Sequence, residues 1–167
     1  MTPDPLDRFS PLTRRWFTGT FPAPTAAQAR AWEAIADGDH TLVIAPTGSG
    51  KTLAAFLWAI DQLAHAEAAT GTRVLYISPL KALAIDVERN LRTPLAGISR
   101  IAEQEGRPAP QITVGVRSGD TPPQARRQLI VNPPDILITT PESLFLMLTS
   151  AARETLAGVT TVIVDEV

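Results

Sequence analysis

Apolar positions along most of the chain fall into two alternating patterns. Continuous runs rich in β-branched residues are Thr41–Pro46, Arg73–Pro79, Ile112–Arg117, Asp135–Pro141 and Thr160–Glu166. Such runs are what parallel strands buried on both faces look like. Between them, Leu53, Phe56, Leu57, Ile60 and Leu63 repeat at helical spacing and predict one amphipathic helix. Leu80, Leu83, Val87 and Leu91 predict the next. Thr93-Pro94 predicts a break before a shorter helix around Ile98–Glu105, Arg107–Pro110 reads as a loop, and Gln124–Val131 reads as another short helix. Pro3, Pro5, Pro11, Pro22 and Pro24 mark a lead-in with one short helix around Pro11–Thr18, and the alanine-rich Ala64–Ala69 reads as a helix end. Strands alternating with helices predict an α/β domain with a mostly parallel sheet.

Composition narrows the function classes. The length of 167 residues suits one domain with its own core. Cysteine is absent and His40 and His65 are the only histidines, which excludes disulfide scaffolds, thiolate metal sites and histidine-rich metal sites. No apolar run approaches the roughly 18 residues of a membrane span. The N-terminal stretch lacks the apolar core of a signal peptide, so a cytosolic protein is expected. The net charge of −2 gives no global sign of nucleic-acid binding, so any such contact must be local. Thirteen arginines stand beside only two lysines, Lys51 and Lys81. A lysine kept against that bias is a candidate for chemistry that arginine cannot do.

The run Thr41–Ala45 leads into Ala45-Pro46-Thr47-Gly48-Ser49-Gly50-Lys51-Thr52, where a helical pattern starts. This is the spacing of a phosphate-binding loop, with Ala45 at its first glycine position. Gly48 and Gly50 permit a tight loop whose N–H groups face phosphate oxygens, and the helix N-terminus adds partial positive charge. Lys51 is then placed for β- and γ-phosphates and the Thr52 hydroxyl for Mg²⁺. Pro46, Thr47, Gly48, Ser49, Gly50, Lys51 and Thr52 are the predicted nucleotide-binding loop. Downstream, Val162-Ile163-Val164 ends in Asp165-Glu166. Open α/β sheets carry their chemistry at the carboxyl ends of strands. Asp165 is predicted to hold Mg²⁺ with Thr52, and Glu166 to orient or deprotonate an attacking water. Lys51, Asp165 and Glu166 form the predicted catalytic set. Thr25 and Gln28 spell a helix-capping box. The same Gln28 amide has the donor and acceptor that an adenine edge requires, and the two roles are compatible.

These residues carry a resemblance. Phe21, Pro24-Thr25 and Gln28 resemble the Q motif of superfamily 2 helicases, and the phosphate loop resembles their motif I. Pro79-Leu80-Lys81-Ala82-Leu83 resembles motif Ia, Thr140-Pro141-Glu142-Ser143 motif Ib, and Asp165-Glu166-Val167 the start of a DEVH motif II. Ser78–Leu91, Arg117-Ser118-Gly119-Asp120-Thr121 and Pro134–Leu144 are similar to the large helicase-related (Lhr) proteins, and the likeness runs from Ser10 onward. The resemblance implies a RecA-like P-loop NTPase domain truncated after the Walker B strand, with residues 1–20 as lead-in and 21–167 as an incomplete first RecA-like domain. It implies ATP and Mg²⁺ as cofactors and an ATP-dependent translocase moving 3′ to 5′ on single-stranded DNA. Unwinding of duplexes or RNA–DNA hybrids, a role in DNA repair, a second RecA-like domain as partner, and a cytoplasmic, nucleoid-associated location in a bacterium complete the expectation.

The resemblance also implies strand-binding residues: Pro79, Lys81, Arg117, Gly119, Thr140, Pro141 and Ser143. Small hydroxyls, helix-start N–H groups and a few cations grip phosphates without reading sequence. Thr140 as N-cap with Pro141 at the first helical position is equally an ordinary helix start, and Arg117–Asp120 is equally a simple turn. Arg126 and Arg127 read as a solvated helix face, and Trp16, Trp32 and Trp58 as packing residues. Two other functions stay open: a different P-loop enzyme such as a small-molecule kinase, and a nucleotide- or strand-binding module without turnover.

Overall fold

The structure, a computed structural model, describes residues 4–66, 70–79 and 81–166, and for residues 81–83 the backbone alone. Part of the alanine-rich helix end, Leu80 in the second amphipathic pattern and Val167 after the acidic pair lie outside the described residues. The chain divides into two compact units, Met1–His65 with Thr93–Pro110, and Ala66–Arg92 with Gln111–Val167. Among the described residues no helix is long and apolar enough to cross a membrane.

The first unit is helical. A 3₁₀ turn at Pro5–Arg8 leads into α1 (Pro11–Thr20), α2 (Ala26–Ala36) and α3 (Lys51–His65). Ser10 caps α1 by accepting the Thr13 N–H, and Pro11 takes the first helical position, where its missing N–H costs nothing. Trp32 is fully buried, with Phe9 and Phe17 edge-on to it at centroid distances of 4.9 and 5.4 Å. That geometry suits aromatic quadrupoles, and the indole N–H donates to the Ala54 carbonyl at 2.9 Å. Trp16 is also buried and Trp58 packs edge-on against Phe9, so all three tryptophans serve the core. Buried Asp61 of α3 accepts from the Ser10 hydroxyl at 2.6 Å and from the Ser10 N–H at 3.3 Å. This carboxylate ties the start of α1 to α3.

The second unit is built on a four-stranded parallel sheet in the order β2-β3-β1-β4. The strands are β1 (Val74–Ile77), β2 (Val114–Arg117), β3 (Ile136–Thr139) and β4 (Thr161–Val164), each within a longer predicted run. β3 is buried at every position, as an inner strand covered on both faces must be. α5 (Pro123–Val131), α6 (Pro141–Leu148) and a 3₁₀ turn at Ala151–Leu156 connect the strands. Leu75, Leu137, Met147 and Ala152 form the core on the α6 side.

Two expectations are corrected. Thr41–Pro46 is not a strand: none of its residues pairs in the sheet, and Leu42 and Ile44 are 70% and 87% exposed. β-branched composition favours an extended backbone, but a strand exists only through ladder bonds to a neighbour. Nor does the chain break at Thr93-Pro94, because α4 (Lys81–Gln104) runs through Pro94 without interruption. Proline removes one helical hydrogen bond. Burial of Ile98 and Ala102 and the close seating of Gly97 on the Trp16 indole, where a Cβ would collide, hold the helix together beyond it.

Replacing Asp61 by alanine leaves the Ser10 amide without its acceptor and the Ser10 hydroxyl with only the longer contact to the Thr13 hydroxyl, at 3.4 Å, which should cost about 1–3 kcal/mol. Amide hydrogen exchange across α1 measures it. Faster exchange confined to α1 and the facing turns of α3 is expected, and unchanged protection would contradict the role given to Asp61.

Candidate functional site

The first unit positions the glycine-rich loop ahead of α3. Gly48 and Gly50 have φ of 81° and 80°, a left-handed backbone that favours glycine. The Ser49 N–H donates to the Pro46 carbonyl at 3.3 Å, closing the turn, and α3 starts at Lys51. The Lys51 ammonium donates to the carbonyls of Ala45 and Pro46, the latter at 3.0 Å. The Ser49 hydroxyl is buried without a hydrogen-bond partner.

Gln28 braces this loop. The capping box forms in full: the Thr25 hydroxyl accepts the Gln28 N–H at 3.2 Å, and Gln28 Oε1 accepts the Thr25 N–H at 3.0 Å. The same two side chains reach the loop. Gln28 Nε2 donates to the Gly50 carbonyl at 3.3 Å and the Thr25 hydroxyl to the Ser49 carbonyl at 2.9 Å. Gln28 is 4% exposed, and a Cβ at Gly50 would run into its amide. Gly50 therefore answers to both its φ and its neighbour.

In the second unit the parallel register brings the strand ends to one edge of the sheet. Ile77 pairs with Thr139 and with Val164, and Arg117 pairs with Thr139. Pro79, Arg117, Gly119, Thr140, Pro141, Ser143, Asp165 and Glu166 all follow or close these strands, as does the backbone of Lys81. The Asp165 N–H donates to the Ile77 carbonyl at 3.0 Å, extending the ladder by one step. Its carboxylate accepts the Tyr76 hydroxyl at Oδ2 and the Glu166 N–H at Oδ1, the latter at 3.1 Å. Glu166 has φ of 59°, a left-handed conformation of the kind that clusters at functional sites in non-glycine residues. Burial, and then the bond to Asp165, push the Tyr76 hydroxyl far above its ordinary pKa, so it stays a donor.

The Thr140 hydroxyl caps α6 by accepting the Ser143 N–H at 3.4 Å and donates to the Ser143 hydroxyl at 3.2 Å. Both residues are 4% exposed, and the Thr140 hydroxyl is used by the cap as donor and acceptor. Arg117 as a residue is 8% exposed and its buried Nη1 has no hydrogen-bond partner. Burial first, and the charge of Arg126 second, lower its pKa from the ordinary arginine value. Arg126 is not on a fully solvated face as expected. It is half-buried, donates from Nη2 to the Gly119 carbonyl at 2.6 Å, and carries a buried Nε without a partner, while Arg127 is exposed.

Sequence reasoning missed Tyr76 and Arg126. Tyr76 is the one tyrosine in the chain and sits in an otherwise aliphatic strand. A buried phenol needs a hydrogen-bond partner, and that demand was the available signal. Arg126 offered none, since its role depends on how α5 folds back onto the Gly119 turn. Among the described residues no cluster of three or more His, Cys, Asp or Glu side chains is arranged to hold a metal alone.

A phosphate-type loop beside a glutamine-capped helix, and a parallel sheet ending in Asp-Glu, define a helicase-type ATP-binding domain. The chain belongs to the DEAD/DEAH box helicase family, whose family model matches residues 25–167. It is 76% identical over 166 residues to the Lhr helicase/probable uracil glycosylase of Mycolicibacterium smegmatis, covering 98% of this chain and 11% of that protein. It is 56% identical over 177 residues to the Lhr helicase/uracil glycosylase of Escherichia coli, covering 99% of this chain and 12% of that protein. Among solved structures, that of Mycobacterium smegmatis helicase Lhr bound to ssDNA and AMP-PNP is similar with a TM-score of 0.95 at 76% identity, over 98% of this chain and 21% of that one. Mss116p bound to ssRNA and AMP-PNP, at 20% identity and a TM-score of 0.77 over 96% of this chain and 31% of that one, shares the fold. The α/β architecture is that of a RecA-like helicase domain, and the chain spans about a tenth of the length of the two Lhr relatives.

Gly50→Ala imposes a strained φ and a collision with the Gln28 amide, which should cost about 1–3 kcal/mol. Thermal melts of Gly50→Ala, Gln28→Ala and the double variant test the coupling. The double variant should be less destabilised than the sum of the singles, and strict additivity would show that Gln28 does not brace the loop.

Proposed function

We propose that this chain is the ATP-binding part of an ATP-dependent helicase that moves 3′ to 5′ on single-stranded DNA in the cytoplasm and serves DNA repair. The observation that carries this reading is the loop at residues 46–51 with Gln28 braced against it. Its build fits a polyphosphate. Two left-handed glycines arrange successive N–H groups as an anion nest, and the orphaned Ser49 hydroxyl and the loop-bound Lys51 ammonium lie beside them. The Lhr relative with bound AMP-PNP and ssDNA supports the same reading.

The residues divide the work by chemistry. Thr47 to Gly50 present backbone N–H groups to the phosphates, Pro46 shapes the turn without an N–H of its own, and Lys51 exchanges loop carbonyls for β- and γ-phosphate oxygens. Thr52, in the first turn of α3, and Asp165, after β4, would each offer an oxygen to Mg²⁺. When bound, Mg²⁺ offsets charge on the transferred phosphoryl group. Glu166 orients or deprotonates the attacking water. Gln28 uses one amide hydrogen and one carbonyl lone pair on Gly50 and Thr25, which leaves one of each. That remainder matches the N7 and N6 edge of adenine.

For the strand, Pro79, Lys81, Arg117, Gly119, Thr140, Pro141 and Ser143 supply a non-specific phosphate grip at the carboxyl edge of the sheet. The Thr140 hydroxyl is engaged in the cap, so contact there falls to the Ser143 hydroxyl and the α6 N-terminus. Arg117 and Arg126 supply the positive charge. The same contacts would serve an RNA–DNA hybrid. In this class an arginine from a second domain is worth about 10³–10⁵ in rate, so a second RecA-like domain is the proposed partner in turnover.

In the full-length protein, Lys51→Ala should abolish ATP hydrolysis without lowering the melting temperature. Lys51→Arg should rescue little, since a planar guanidinium does not replace a compact ammonium. Undiminished hydrolysis would refute the loop assignment. Arg117→Ala should weaken single-stranded DNA binding and reduce the slope of log affinity against log salt by about 0.7, the share of one phosphate contact. An unchanged slope in a fluorescence-anisotropy titration would remove Arg117 from the strand site.

A further inference from the structure

Tyr76 lies in β1, flanked by β3 and β4, and is 1% exposed. Its neighbours Leu75 and Ile77 pack with Leu137 and Met147 on the α6 side of the sheet. Strand alternation sends the Tyr76 ring to the opposite face. In the register with β4, Tyr76 is paired with Ile163, so two residues further along that face stands Asp165. The ring spans this diagonal, and its hydroxyl donates to Asp165 Oδ2.

Asp165 is thereby held at three points. Its N–H is on the Ile77 carbonyl at 3.0 Å, its Oδ1 accepts the Glu166 N–H at 3.1 Å, and its Oδ2 accepts the phenol. An ionised carboxylate offers about four lone-pair directions. The two side-chain bonds use one on each oxygen, which leaves one on each oxygen for a cation. A metal-ligating carboxylate that is itself hydrogen-bonded has its rotamer fixed in advance of binding, and losing such an outer partner typically costs about 10–100-fold in metal affinity or activity.

We infer that Tyr76 is a positioning residue for Asp165: its buried hydroxyl sets the carboxylate rotamer in which Asp165 receives the divalent cation. This inference rests on the reading of Asp165 as a Mg²⁺ ligand. Tyr76 touches neither nucleotide nor water in this role and acts only through Asp165. It differs from a purely structural tyrosine in that deleting one oxygen, with the ring kept, should alter metal affinity while the melt stays nearly unchanged.

The test uses the full-length protein with AMP-PNP and titrates Mn²⁺, followed by electron paramagnetic resonance. Tyr76→Phe should raise the Mn²⁺ dissociation constant about tenfold or more and lower kcat more than it changes KM for ATP. 4-Aminophenylalanine at position 76, which restores an N–H donor at the same reach, should recover most of the affinity. Asp165→Ala in the same titration separates the two claims. If Asp165→Ala loses Mn²⁺ affinity while Tyr76→Phe binds as the unaltered protein does, the Tyr76 inference fails and the metal reading stands. If Asp165→Ala binds Mn²⁺ unchanged, both fail. Weakened binding by Tyr76→Phe without recovery by the amino analogue assigns the effect to packing and overturns the positioning role.

Discussion

Parallel pairing of β1 with β3 on one side and β4 on the other sets where the chemistry of the second unit appears. Because Ile77 pairs with both Thr139 and Val164, the residues that follow these strands emerge along a single edge. The acidic pair, the α6 cap and the Gly119 turn all inherit their positions from that register. A slip of one residue in β1 would exchange its two faces. Tyr76 would then turn into the Leu137–Met147 core and leave Asp165 without its phenol. Burial of β3 on both faces is what makes such a slip costly.

The loop of the first unit is fixed by other means. No sheet strand leads into it; besides its own turn bond and the Lys51 ammonium, it is held from the start of α2 through the two side chains of the capping box. Thr25 and Gln28 each serve twice, once in ending the helix and once in gripping the Ser49 and Gly50 carbonyls. A helix cap is thereby converted into a loop brace, and the glycine at position 50 is needed to admit it.

Much of this was legible in the sequence, for identifiable reasons. β1, β2, β3 and β4 lie within apolar runs long enough to signal burial on both faces, and α2 and α3 announce themselves by a capping box and by periodicity. The phosphate loop, the capping box and the acidic pair were readable because each is a local pattern. What was not legible depends on partners distant in sequence. Thr41–Pro46 has strand composition and no ladder neighbour. Pro94 looks like a breaker until Gly97 meets Trp16. Tyr76 and Asp165 are separated by 89 positions, so only the fold could join them. Thr140 and Ser143 were open between a cap and a strand grip, and the structure shows the cap, with the Thr140 hydroxyl accepting the Ser143 N–H and donating to the Ser143 hydroxyl.

In the proposed function the loop and the acidic pair serve ATP turnover, and the sheet edge serves a nucleic-acid strand. The most direct measurement is steady-state ATP hydrolysis by the full-length protein, with and without single-stranded DNA. A rate that rises many-fold with single-stranded DNA, saturates with it and vanishes without a divalent cation is the predicted result. Hydrolysis or phosphoryl transfer to a small acceptor that is indifferent to nucleic acid would contradict the account, as would tight nucleotide binding with no turnover in the presence of the strand.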